Sequence, residues 1–371
     1  MRIALDYRPA LRARTGVGSW AFHLARALAA RGDVDLTLFS SSWKDRPHPD
    51  DLARLGGARV VDRRWPVRVL NFSWHRLEWP SIERLAGLDF DIAHSLHPLL
   101  MPARRAAQVV TIHDLDFLEN PGRAEAEMRR DYPRLVREHA HRAAHVIAVS
   151  HYTARQIERH LDLPASRVSV CYPGGPEWMG LAGQPAHRSP EHILFVGTLE
   201  RRKNIGTLLD AYAALVGRRP ESPPLVLAGR ARAEAAVWLE QIARRPLAGR
   251  VRYLGYVSEE ERQRLFETAA LFVFPSLEEG FGLPVVEAMA AGVPVIVSNR
   301  GALPEVVAEA GLVVEAEDAD ALSSAMERML ADAALQAAMV AQGLRRAAGF
   351  RWDETAVSVL AAYQRARERC T

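Results

Sequence analysis

Residues 271–298 read LFVFPSLEEGFGLPVVEAMAAGVPVIVS. An apolar strand runs to Ser276, a glycine-containing loop follows, Pro284 opens a helix in the first-turn position that proline favours, and PVIVS is a second strand. Strand, glycine loop, helix, strand is the repeating unit of a parallel α/β sheet, so the fold class read here is α/β. The loop LEEGFG then lies at the carboxyl edge of the sheet, where open sheets bind their ligands. Gly280 and Gly282 allow backbone N–H groups to approach a ligand closely, and a helix N-terminus favours negative charge. Glu279 and Glu287 would repel a bare phosphate, but a carboxylate accepts two adjacent hydroxyls. The ligand these residues describe is a phosphate flanked by polyols. Arg201, Arg202 and Lys203 in VGTLERRKN follow the strand HILFVG and supply a cationic counterpart able to hold a diphosphate. Alone, RRK reads as a solvated basic turn; on the same sheet edge as the glycine loop, it reads as part of a site.

The same alternation extends in both directions. MRIALDY, a turn, the helix WAFHLARALAARG closing on Gly32, DLTLFS, FDIAHSLH, AAQVVTIHDL, a helix over 124–144 and HVIAVS form one parallel lobe. PGGPEWMGLAGQPAHRSP has the composition of a linker, and the pattern restarts at HILFVG. The expected organisation is therefore an N-terminal Rossmann-like domain over 1–173 and a C-terminal Rossmann-like domain over 186–350, with a cleft between them. FRWDETAVSVLAAYQRARER is a closing amphipathic helix bearing Trp352, Val357, Leu360 and Tyr363 at helical spacing, and either lobe could receive it.

With 371 residues, 49% hydrophobic and 25% charged, the chain has the composition of a soluble globular protein of two domains. No apolar run approaches the roughly 18 to 20 residues that span a bilayer, and no secretory h-region is evident; a cytoplasmic location is expected. Two cysteines argue against both a disulfide framework and a cysteine zinc site. The net charge of +3 is uneven: residues 1–180 carry 26 basic against 21 acidic side chains, and the remainder is net acidic. A basic first half suits an anionic substrate or a lipid surface; no nucleic-acid motif accompanies it, so no nucleic-acid partner is expected.

The sequence resembles the family 4 glycosyltransferases, retaining enzymes of the GT-B fold, and in particular bacterial mannosyltransferases of polysaccharide biosynthesis. The resemblance is carried by PSLEEGFGLPVVEAMAAGVPVIVS, VGTLERRKN, YLGYVSEEE and GALPEVV in the second lobe, by TGVG, VVTIHDL and VIAVSHYT in the first, and by FRWDETAVSVLAAY. It implies that Glu287 holds ribose hydroxyls and that Glu279 contacts the transferred sugar. Backbone amides of Gly280, Phe281, Gly282 and Leu283 would touch sugar and diphosphate. Arg202 and Lys203 would neutralise the diphosphate, His113 would project toward the sugar, and Gly16 to Gly18 would form a loop near the phosphates and acceptor. It also implies that helix 351–371 crosses back to the first domain, and that the chemistry is front-face attack with the leaving phosphate taking the acceptor's proton. The donor is a substrate, with GDP-mannose favoured and a UDP-sugar as the alternative; no cofactor or metal is required, and the acceptor is a glycan or lipid-linked glycan. Where many relatives have an arginine, this chain has Thr198, so Arg201 or Arg202 would supply that charge.

Several features compete with this reading. A nucleotide-sugar epimerase, a phosphorylase or a non-catalytic nucleotide-sugar-binding module would share the fold. A dehydrogenase is disfavoured because GVGSWA places Ala21 where a dinucleotide fingerprint needs its third glycine. Asp89 and Asp91 read as turn acids rather than metal ligands, and His94, His97, His139, His141 and His145 as packing and surface residues. The segment 59–85 mixes arginines with Trp65, Trp74 and Trp79. It fits either an interfacial helix on anionic lipid or core packing.

Overall fold

Short runs of Val, Ile, Leu and Phe bounded by turn residues become strands in two series, the inner strands of each buried on both faces. The computed structural model describes residues 1–11, 16–120, 122, 131–178 and 190–370. It divides into two units, Met1–Gly174 with Arg351–Thr371, and Gly175–Phe350.

The first unit holds β1 (Arg2–Asp6), β2 (Asp35–Ser41), β3 (Arg59–Arg63), β4 (Ile92–Ser95), β5 (Ala107–Ile112), β6 (His145–Ala148) and β7 (Val168–Val170). Their spatial order is β3-β2-β1-β4-β5-β6-β7. Every pairing is parallel, with Leu5 of β1 facing Leu38 on one side and His94 on the other. The second unit holds β8 (His192–Val196), β9 (Leu225–Ala228), β10 (Val251–Gly255), β11 (Ala269–Phe274), β12 (Val295–Ser298) and β13 (Leu312–Val314), in the order β10-β9-β8-β11-β12-β13 and again parallel. In each sheet the chain order reverses once, between β1 and β4 and between β8 and β11. At these points crossovers depart in opposite directions and leave a crevice above the strand ends.

The C-terminal helix Trp352–Glu368 belongs to the first unit. The Tyr363 hydroxyl meets His94 Nδ1 at 2.7 Å, and the Trp352 ring stacks on His23 and packs edge-on to Trp20. Its buried face is Ala356, Val359, Ala362, Tyr363 and Ala366; Val357, assigned to the apolar face from spacing, is exposed. Alanines let this helix lie close to the strands, which hydropathy spacing does not report.

Other boundaries also differ from the sequence reading. β11 stops at Phe274 because Pro275 has no N–H for the ladder. The first helix, Val17–Ala29, ends three residues before Gly32, with Ala30 still in right-handed geometry. The helix expected over 124–144 is described as Tyr132–Arg142, residues 123–130 lying outside the described residues, as does 179–189 of the linker. The segment 59–85 is not one interfacial helix. It breaks into β3, a helix Val67–Phe72, a π-helical turn Ser73–Leu77 and a helix Ile82–Ala86. Trp74 is core, 1% exposed and packed on Phe39, whereas Trp79 is 51% exposed.

Candidate active site

The crevice of the second sheet is bridged by ion pairs to Glu279. Lys203 lies in a 3₁₀ turn, Arg201–Lys203, shortly after β8, and its ammonium bonds Glu279 Oε1 in the loop after β11. The lysine also sits over the Phe274 ring at 4.7 Å, and both partners are buried. Arg202 Nη1 reaches Glu279 Oε2 at 3.2 Å and the Glu278 carbonyl at 2.9 Å, while Nη2 bonds Glu200 at 3.1 Å. Leu277 N–H donates to the Arg202 carbonyl at 2.8 Å, joining the two loops through backbone as well. Burial by itself would raise the Glu279 carboxyl, but Lys203 and Arg202 outweigh it and hold it below the ordinary glutamate value.

These contacts give the cations of the RRK turn different tasks. Arg201 is exposed. Arg202 spends its fork on Glu200, the Glu278 carbonyl and Glu279, which makes it the strut of the loop. Lys203 has three donors and uses one on Glu279; among the described residues the other two meet no acceptor.

The helix Leu283–Ala290 starts at Gly282, whose φ of 109° only glycine adopts readily, with Pro284 in its first turn and no side-chain cap. Its leading N–H groups therefore have no capping side chain. Phe281 is buried, its ring edge-on to Phe350. Glu287 lies on the same helix and is also buried. Its Oε1 faces Arg262 at 3.3 Å, and its Oε2 has no hydrogen-bond partner among the described residues. Burial raises its pKa against the pull of Arg262. A buried carboxylate oxygen with an open lone pair is an acceptor for a hydroxyl.

Three supports of this site carried no assigned role in the sequence reading. Arg262 follows the capping box of YVSEEER and steers Glu287. Gly301 and Ala302, in GALPEVV, hold the Glu279 backbone: Ala302 N–H donates to the Glu279 carbonyl at 2.8 Å, and a Cβ on Gly301 would lie 2.5 Å from it. Gly229 approaches Gly197 so closely that a Cβ would meet the Gly197 carbonyl oxygen. Local spacing contains no sign of these long-range contacts.

His113, Gly16 and Gly18 belong to the first unit. His113 follows β5; its Nε2–H donates to the Leu96 carbonyl at 3.1 Å, its ring packs on Trp20, and burial lowers its pKa to about 4, so the ring is neutral near pH 7. Gly16, with φ of 51°, caps the helix that carries Trp20, and Gly18 is buried in the helix's first turn. Residues 12–15, including Thr15 of the TGVG motif, lie outside the described residues. Asp91 accepts from the Arg2 backbone at 2.8 Å, which commits it to the β1–β4 edge. His94 bonds Tyr363 and Thr111, His139 accepts from Leu100 N–H, and His145 meets Ser169, all packing roles. His97 departs from that reading, since it bonds the buried Asp6 at 3.2 Å.

Residues 14–174 match the family described as Glycosyltransferase Family 4, and residues 183–346 match Glycosyl transferases group 1. The O-antigen chain mannosyltransferase B of Escherichia coli is 31% identical over 98% of this chain and 100% of its own length. The chain belongs to the family 4 glycosyltransferases. Among solved structures, the sucrose-phosphate synthase (tll1590) of Thermosynechococcus elongatus superposes with a TM-score of 0.77 at 22% identity over 98% of both chains. Anabaena Alr3699/HepE, solved in complex with UDP and glucose, gives 0.71 at 19% identity, also over 98% of both. The glycosyltransferase fold is GT-B, two Rossmann-like parallel-sheet units, and the pair Lys203–Glu279 marks the switch point of the second.

Proposed function

We propose that this glycosyltransferase moves a mannosyl residue, with retention, from a nucleoside diphosphate sugar to a hydroxyl of a growing cell-surface glycan. The observation that carries the reading is the switch point of the second sheet. There a buried lysine with two open donors, an uncapped helix N-terminus and a carboxylate oxygen awaiting a hydroxyl all lie on one strand edge. Lys203 and the N–H groups from Gly282 onward take the diphosphate, Glu287 takes the ribose hydroxyls, and Glu279 takes a sugar hydroxyl. The donor is a substrate and no further cofactor is invoked. As the glycosidic bond breaks, charge grows on the departing diphosphate, and fixed donors aimed at it lower the barrier. The leaving phosphate accepts the acceptor's proton, so no carboxylate nucleophile is required. His113, held neutral with its Nε2–H on the Leu96 carbonyl, accepts from a sugar hydroxyl at Nδ1 without adding charge.

Mannose is supported by the Escherichia coli relative, whose name specifies a mannosyltransferase; guanosine diphosphate is the carrier proposed with it. UDP is the alternative, since the Anabaena structure holds it. The acceptor is proposed to be lipid-linked and reached from the cytoplasmic membrane face. In support, Val69, Phe72, Leu77 and Trp79 are exposed beside Arg64 and Arg68, and among the described residues no helix is long and apolar enough to cross a membrane.

A thermal-shift comparison of guanosine, uridine and adenosine diphosphates tests the donor. The matched nucleotide at 100 times its dissociation constant adds about 2.7 kcal/mol of stability. No shift with any of the three, in protein shown to be folded, ends the reading.

A further inference from the structure

The ion pairs on Glu279 do not end at Arg202. Glu200 stands just before the RRK turn; its Oε1 accepts from Arg202 Nη2 at 3.1 Å, and its Oε2 pairs with Arg232 Nε at 3.1 Å. Arg232 lies in the loop after β9, so one carboxylate joins the loops of two adjacent strands. Backbone bonds bring them together: Leu199 N–H donates to the Arg230 carbonyl at 2.8 Å, and Arg232 N–H to the Leu199 carbonyl at 3.1 Å. Gly229, with φ of 144°, makes room for this approach, since it lies against the Gly197 carbonyl where a Cβ would not fit. The result is a row of alternating charge, Arg232, Glu200, Arg202, Glu279 and Lys203, laid over the carboxyl ends of β9, β8 and β11.

The two ends of the row differ. Lys203 is buried, whereas the Arg232 side chain is 49% exposed and that of Glu200 17%. An ion pair half in solvent contributes little to stability, so the value of the outer pair lies in what it does to its neighbours. Without the charge of Glu200, the guanidiniums of Arg202 and Arg232 would face each other as like charges, and Arg202 Nη2 would lose its acceptor. Arg202 would then be free to leave Glu279 Oε2. Glu279 would draw on Lys203 alone, the side chain whose remaining hydrogens the diphosphate needs.

We propose that Glu200, clamped from the β9 loop by Arg232, is a positioning residue for glycosyl transfer: it holds Arg202 on Glu279 and so leaves Lys203 directed at the departing diphosphate. The inference rests on the donor site proposed above and adds two residues to it, both acting through Arg202. It also ties the β9 loop to the loop after β11, which it does not touch directly in this row.

The experiment is steady-state hydrolysis of the sugar nucleotide, which needs no acceptor, measured against pH for the full chain and for Glu200→Gln, Arg232→Ala and Arg232→Lys. GDP-mannose is the probe, or UDP-glucose if uridine diphosphate gives the larger thermal shift. Glu200→Gln is expected to lower kcat about tenfold and to leave the donor KM within about twofold, because the loss falls on charge that grows as the bond breaks. It should also move the alkaline limb of kcat/KM to lower pH: burial lowers the Lys203 pKa, Glu279 and Glu200 oppose that, Arg202 adds to it, and removing Glu200 makes the ammonium easier to deprotonate. Arg232→Ala should lose less, and Arg232→Lys should restore most of that loss. A purely structural role would lower the melting temperature and leave the pH profile in place. Folded Glu200→Gln with wild-type kcat, with its whole loss in KM, or with an unmoved alkaline limb overturns the proposal, and Arg232→Lys no better than Arg232→Ala overturns the clamp. Absence of any nucleotide shift in folded wild type would instead sink the donor site on which the proposal stands.

Discussion

Lys203 illustrates how much one buried side chain is asked to do. It faces Glu279, lies on Phe274 and is the cation proposed for the diphosphate. Lys203→Ala is expected to lower turnover about 10²- to 10³-fold, or roughly 2.7 to 4 kcal/mol of barrier. It also strips one cation from a buried carboxylate and so lowers stability. The two effects separate in Lys203→Ala with Glu279→Gln, which should recover melting temperature but not turnover; unchanged turnover in purified Lys203→Ala would remove the residue from the mechanism. His94 carries a different signature. Burial lowers its pKa to about 3, so the folded state stays unprotonated while the unfolded chain takes up a proton below about 6.5. Its contribution is neutral above that pH and becomes a growing penalty as pH falls toward 3, about 2 kcal/mol by pH 5. Urea melts at pH 7 and 5 should show a shallower loss for His94→Gln than for wild type; identical slopes would contradict the assignment.

Among the connecting elements, glycines set where the carboxylates point. Gly301 has φ of 62°, and a Cβ there would lie 2.5 Å from the Glu279 backbone nitrogen and oxygen. Gly301→Ala is therefore expected to cost about 1 to 3 kcal/mol and to lower turnover by displacing Glu279. Gly217, inside the helix Ile205–Arg218, has open space around it, and Gly217→Ala should stabilise by about 0.5 to 1 kcal/mol. Calorimetry finding equal effects at the two positions would refute the close-approach argument. GALPEVV stood out in the sequence as a motif, but its partner lies more than twenty residues upstream and is reached only through the fold. The same limit hid Arg262, whose value comes from Glu287 on another helix.

At the scale of the whole molecule, the chain's charge and its exposed apolar side chains bear on the acceptor. Residues 1–180 are net basic, and Val69, Phe72, Leu77 and Trp79 stand out from the same part of the chain. Binding to anionic vesicles is expected to be weak, to fade as ionic strength rises toward 0.5 M, and to drop in Phe72→Ser with Trp79→Ser. Absence of cosedimentation at low salt would remove the membrane role. Trp74→Ser is the contrasting case: this tryptophan is core, so the change should lower the melting temperature instead.

The parallel α/β pattern and the placing of LEEGFG and RRK after strands were legible because strand and helix periods, glycine and proline act over a few residues. The sequence itself determined which groups are available. Only the tertiary structure decided which of them meet: Lys203 with Glu279 across β8 and β11, Asp6 with His97 across β1 and β4, and Tyr363 with His94. Those pairs lie 76, 91 and 269 positions apart, and no local rule of backbone or charge spans such distances; the order of strands in the sheet does.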